Sequence, residues 1–151
     1  LEEVKEIDWC FCLLNKKKLK NKRILDENFF MYFETIDFCR KIYLNKQKMY
    51  VIKNLKFEHI GTSSTNKKYN FKILINRNWH FGWSKFYYYK KNYNYFYACK
   101  KLLPNIYQGI VGLLLSILKF SYKSVVLSIY SLYGILSGIF FFKSYYRPNI
   151  E

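Results

Sequence analysis

The chain has 151 residues, enough for one domain, yet 51% are hydrophobic and 22% aromatic, more than a small soluble core absorbs. Its net charge of +16 is uneven, because no Asp or Glu occurs between Glu58 and Glu151 while lysines continue throughout. That half suits an anionic surface. Four cysteines, Cys10, Cys12, Cys39 and Cys99, form no CxxC pair, and His59 and His80 are the only histidines. This argues against a zinc site and for a reduced setting.

In chain order, Asp8 to Leu14 is an apolar run short enough for a buried strand with Cys10 and Cys12 on one side, and the Lys-rich 15–22 reads as an exposed helix or turn. Ile36, Phe38 and Ile42 predict a short helix over 35–44. MYVIK (49–53) and LKFEH (55–59) predict two brief strands, and the small polar loop from Gly61 to Asn66 ends a first unit, 1–66. The next unit, 67–101, reads as a helix from about Tyr69 to Tyr93. There Trp79, Trp83, Phe86 and Lys90 recur every three or four residues, with Lys85 and Lys91 beside them. Such a stripe fits a membrane interface, or alternatively packing against a neighbouring domain.

The last unit, 102–151, contains two uncharged stretches. Ile106 to Leu118, 13 residues, is short for a bilayer, whereas Ser124 to Phe142, 19 residues, has the length of a span and carries Gly134-x-x-x-Gly138 for close helix approach. The serines at 121, 124, 128 and 131, with Tyr130 and Tyr133, weigh against a simple crossing and favour in-plane or hairpin helices.

Glu34 and Asp37 stand three apart at a helix start, on one face, where the helix dipole favours ionised carboxylates. Asp37 has an alternative role, pairing with Arg40 or Lys41. The run Asp26-Glu27-Asn28-Phe29-Phe30-Met31-Tyr32-Phe33-Glu34, then Asp37-Phe38-Cys39-Arg40, then His59-Ile60-Gly61-Thr62-Ser63-Ser64, resembles the later half of the catalytic domain in bacterial family 2 glycosyltransferases, inverting enzymes of the GT-A fold. Weaker similarity extends from Asp8-Trp9 to the helix carrying Arg77-Asn78-Trp79-His80 and Ser84-Lys85-Phe86-Tyr87.

The resemblance implies an α/β fragment, the C-terminal acceptor-side part of a GT-A domain with few short strands, followed by a long, mostly α-helical membrane-associated region. It implies Glu34 and Asp37 as catalytic acids, and His59 as a ligand toward a divalent metal, Mg or Mn. It further implies Gly61, Thr62, Ser63 and Ser64 as an acceptor or diphosphate loop, and a nucleotide-diphosphate sugar as donor. Tyr32 is the aromatic expected to touch a sugar, with Phe29, Phe30 and Phe33 as core and pocket wall, and His80 is expected to be structural or interfacial.

Two departures stand out. Thr35 occupies a position where the family usually has an acid, and its hydroxyl cannot accept a proton near neutral pH. Nothing in residues 1–25 is the nucleotide-binding half with its Asp-x-Asp, and the sequence begins at Leu1, so a C-terminal piece of a longer protein, inactive alone, is expected. The expected partners are an anionic membrane surface and a lipid-linked saccharide acceptor at the cytoplasmic face of a bacterial inner membrane, held peripherally or by one hairpin or span. Nucleic acid is a weaker alternative. The run KFYYYKKNYNYFYACKK could stack on single strands, but apolar residues 106–142 do not suit a soluble binder. A non-catalytic membrane protein is the third reading.

Overall fold

In the computed structural model, residues 1–7, 9–19, 24–58 and 70–144 are described. They form β1 (Glu2–Val4), α1 (Glu34–Leu44), β2 (Met49–Val51), α2 (Asn70–Asn92), α3 (Tyr95–Leu118) and α4 (Tyr122–Ile139). The molecule is thus mostly helical with a small strand portion, matching the coarse expectation of a few short strands followed by helices. The chain divides into two compact units, Leu1–Glu27 with Phe33–Ser64, and Asn28–Tyr32 with Thr65–Glu151.

In the first unit β1 pairs antiparallel with β2, placing Glu2 opposite Val51 and Val4 opposite Met49. A two-stranded ladder is marginal by itself. The ion pairs Lys48–Glu3 and Lys53–Glu2, both 2.7 Å and exposed, add little. Stability comes instead from α1, which buries Phe38, Cys39 and Ile42 against Met49. Trp9 meets Phe38 edge-on at 4.9 Å, between rings tilted by 78°.

That contact corrects the expected strand over 8–14. Among its described residues the segment is turn and irregular chain, with Cys10 exposed and Cys12 half-buried. The indole is the part of the run that packs, and it does so without a partner strand. Residues 55–58 likewise form no strand, and Phe57 stacks on Phe11 at 4.2 Å.

Helix α1 starts after Phe33, which has φ 64° and offers no side-chain cap, so Glu34 and Asp37 in the first turn complement the dipole instead. It ends in a Schellman turn. The Gln47 N–H reaches Ile42 O at 3.0 Å and the Lys46 N–H reaches Tyr43 O at 2.9 Å, with Lys46 at φ 54°.

In the second unit α4 lies along α2. Glycine is what permits the approach: a Cβ at Gly134 would run into the Trp79 carbonyl, and one at Gly138 would stand 2.9 Å from the Phe86 ring. The expectation for Gly134-x-x-x-Gly138 therefore holds, with α2 as the partner. Phe86, Ala98, Leu102 and Ile135 form the core.

Trp79 and Trp83 are 1% and 5% exposed, which corrects their expected place on a membrane-facing stripe. The close approach of α4 covers that face of α2, and the Trp83 indole N–H donates to Phe142 O at 2.8 Å. Helix α3 also begins earlier than the apolar stretch that announced it. The Asn94 side chain accepts from Tyr97 N–H at 2.8 Å to start it, and it continues through Pro104. Among the described residues α3, rather than 124–142, is the one helix long and apolar enough to cross a membrane by length and composition.

Candidate functional site

The two acids expected to be catalytic fall in the first turn of α1 but differ in surroundings. Asp37 is 1% exposed and its carboxylate pairs with the Lys41 ammonium one turn on, at 2.9 Å. Glu34 is half-buried, and its Oε2 is enclosed without a hydrogen-bond partner. Of the two carboxylates, Asp37 is thus engaged by an ammonium, while Glu34 keeps one oxygen without a donor. Burial pushes the Cys39 and Cys12 thiols up, and a protonated thiol is a poor nucleophile.

His59, Gly61, Thr62, Ser63 and Ser64 lie outside the described residues. Among the described residues no group of three or more His, Cys, Asp or Glu is placed to hold a metal ion. Glu34 offers one enclosed oxygen, whereas Mg requires six ligands in near-ideal geometry. The described residues therefore do not fit the divalent metal by themselves.

The Phe-rich approach belongs to the second unit, where it lies on α2. Phe29 meets Tyr87 edge-on at 4.9 Å, Phe30 meets His80 at 4.7 Å, and Tyr32 meets Phe81 at 5.6 Å. The Ser84 hydroxyl donates to Met31 O at 2.7 Å, and Asn28 Nδ2 donates to Tyr87 Oη at 3.1 Å. His80 is fully buried, against Phe30 and Trp79 and 3.5 Å from Ser144 Oγ, a structural setting.

With no carboxylate in residues 59–150, lysines of this unit settle on aromatic faces. Lys90 stands 4.1 Å from the Phe141 ring centre, Lys91 stands 5.5 Å from that of Phe29, and Lys101 stands 5.7 Å from that of Tyr97. Lys85, expected at a membrane interface, is half-buried and turned toward α3. Its ammonium donates to Asn105 Oδ1 at 2.9 Å and lies 5.9 Å from the Phe81 ring centre. It lines a cleft of about 270 Å³ walled by α2, α3 and α4.

The tyrosines proposed for base stacking are engaged with one another. Tyr93 stacks on Tyr97 at 4.5 Å, and Tyr89 contacts Tyr88, Tyr93 and Tyr97.

The outer surface carries a further feature that composition hints at and spacing does not. At the turn joining α3 to α4, Leu118, Phe120 and Tyr122 are 73%, 96% and 74% exposed, and Lys119 and Lys123 alternate with them. Phe120 has φ 50°, closing α3 through Ser121 N–H to Ser116 O at 3.0 Å. Along α3, Leu103, Tyr107, Ile110, Leu114 and Ile117 are exposed at helical spacing, one continuous apolar stripe.

No family model matches the chain, nor does any curated protein or solved structure. The resemblance to family 2 glycosyltransferases therefore rests on the residues quoted above.

Proposed function

We propose that the chain is the acceptor-side and membrane-docking part of an inverting nucleotide-sugar glycosyltransferase acting on a membrane-linked surface polysaccharide or lipopolysaccharide acceptor. The observation that carries the docking is the turn from Leu118 to Lys123, where three exposed large side chains, Phe120 the most exposed of all the large hydrophobics described, alternate with lysines. An exposed phenyl ring on a left-handed residue is unfavourable in water on two counts, and both are relieved or offset if the ring enters the acyl boundary while Lys119 and Lys123 meet phosphate. The stripe on α3 continues the same surface, lying in the plane of the interface.

In the transfer, Glu34 takes the proton of the acceptor hydroxyl as its oxygen attacks the anomeric carbon. The bond from that carbon to the nucleotide diphosphate breaks on the opposite face, inverting the centre. A divalent metal, were one bound, would draw on His59 as a ligand and would offset the charge of the departing diphosphate. A second reading, a non-catalytic basic membrane protein, is favoured by Thr35 and by the engagement of Asp37 with Lys41.

Vesicle flotation tests the docking. Binding to vesicles containing phosphatidylglycerol is expected, with little to pure phosphatidylcholine, and Phe120→Ser with Lys119→Glu is expected to lower it at least tenfold. Unchanged binding in that double variant overturns docking through this turn. Binding to oligonucleotide at moderate salt, with no flotation, would favour the nucleic-acid alternative. In the full-length protein Glu34→Gln or His59→Ala is expected to lower sugar transfer by orders of magnitude; full activity in both removes the catalytic assignment and leaves the second reading.

A further inference from the structure

We propose that the cleft walled by α2, α3 and α4 is a binding site for a phosphate ester of headgroup size, with Lys85 supplying the counter-charge. The proposal is independent of the sugar-transfer reading. It starts from an imbalance: a half-buried lysine lines a cleft of mixed polar and apolar walls in a stretch of 92 residues, 59–150, that contains no carboxylate. Enclosing a charge without an opposite one is costly.

The one hydrogen bond from Lys85, to Asn105 Oδ1 at 2.9 Å, uses one of three ammonium donors. Burial holds the Lys85 ammonium below the usual lysine range, and the positive charge of Lys101 acts in the same direction. An anion in the cleft reverses both effects.

The other polar groups of the wall are of the kind that receive phosphate oxygens. Asn105, Gln108, Ser128 and Ser131 line the cleft, and their amide and hydroxyl groups are able to donate. They come from α3 and α4, so two walls of the cleft besides that of Lys85 carry groups able to donate. Gly82 keeps the α2 wall flush, since a Cβ there would stand 2.8 Å from Ser131 O.

Size then narrows the ligand. At about 270 Å³ the cleft lies just under the usual ~300–1,000 Å³ of small-molecule pockets. That volume matches one phosphate with a glycerol or single sugar ring. Such an ester is offered either by a lipid headgroup or by a free metabolite.

Calorimetric titration with glycerol 3-phosphate and flotation with phosphatidylcholine vesicles containing phosphatidic acid separate the two sources. Lys85→Met is expected to weaken binding of the effective probe at least tenfold, while Lys72→Met, an equal loss of charge at an exposed site on α2, changes it less than twofold. Saturation by glycerol 3-phosphate identifies a free ester, whereas Lys85-dependent binding seen with vesicles alone identifies a headgroup. Asn105→Asp places a carboxylate beside Lys85 without removing it, so it is expected to abolish binding in a chain whose circular dichroism is unchanged. This second variant decides the matter if Lys85→Met fails to fold. Failure of the native chain to bind either probe, or wild-type affinity in whichever of Lys85→Met and Asn105→Asp folds, overturns the proposal.

Discussion

The two units solve the problem of lysine excess in opposite ways. In the first, carboxylates are present, and Lys41, Lys48 and Lys53 each pair with one at 2.7 to 2.9 Å. In the second, acids are missing between positions 59 and 150, and lysines rest on rings or, for Lys85, on an amide. Internally paired lysines have little left to offer an external anion. Lys90 and Lys101, placed on aromatic faces in a stretch without acids, keep their charge available to phosphate.

The units should also fail separately, and the largest effects test that. Gly134→Leu drives a side chain into the Trp79 carbonyl, where backbone cannot give way. A loss of 3 kcal/mol or more, of the order of severe overpacking, is expected, with most helical circular dichroism gone. Phe38→Ala empties the centre of the first core and should cost about 3–5 kcal/mol, opening Cys39 to thiol reagents while the helical signal persists. Simultaneous loss of both signals in either variant would break the comparison.

A smaller and more pointed effect is expected at Phe120. Replacing it with Gly relieves a left-handed conformation costing about 1–2 kcal/mol, so thermal stability in water should rise while affinity for anionic vesicles falls. A fall in both would mean that the ring stabilises the fold rather than the docked state.

The smallest effect concerns pH. Lys85 has a folded pKa below its ordinary value of 10.5, so the folded chain sheds this proton first. Below the lowered value the burial penalty is present in full. As pH rises through it toward 10.5 the unfolded state binds more protons, and stability gains. Urea midpoints of wild type and Lys85→Met at roughly pH 8 and 10 should differ in slope, the wild type gaining relative to the variant.

Much of this architecture was legible from periodicity. Helices α1 and α2 were expected within a residue or two because Ile36, Phe38 and Ile42, and then Trp79, Trp83 and Phe86, recur at helical spacing. Their environment was not legible. The same stripe is expected of a helix facing lipid and of one facing another helix, and the glycines of α4 decide between them. β1 was missed because Glu2-Glu3-Val4 has no strand pattern of its own, its pairing coming from a partner some 45 residues away. The start of α3 was hidden because its first turns carry Lys100, Lys101 and Pro104, outside the uncharged stretch that begins at Ile106.

Of the candidate site, the positions of Glu34 and Asp37 at a helix start followed from sequence, but their division into an unpartnered and a paired carboxylate depends on Lys41. The cleft was beyond sequence reading, since its polar groups come from three helices. The signal that existed was polar residues at helical spacing within apolar stretches, as at Lys101, Asn105 and Gln108, or Ser128 and Ser131.

Among the described residues every glycine lies inside a helix and none has a positive φ, while Lys46, Phe120 and Phe141 hold the left-handed seats that close α1, α3 and α4. Local opening should therefore begin at these strained closures and travel inward. Deuterium would reach the amides of Ser121 and Phe142 early, and the turn of α4 from Gly134 to Gly138, pressed against α2, would exchange last.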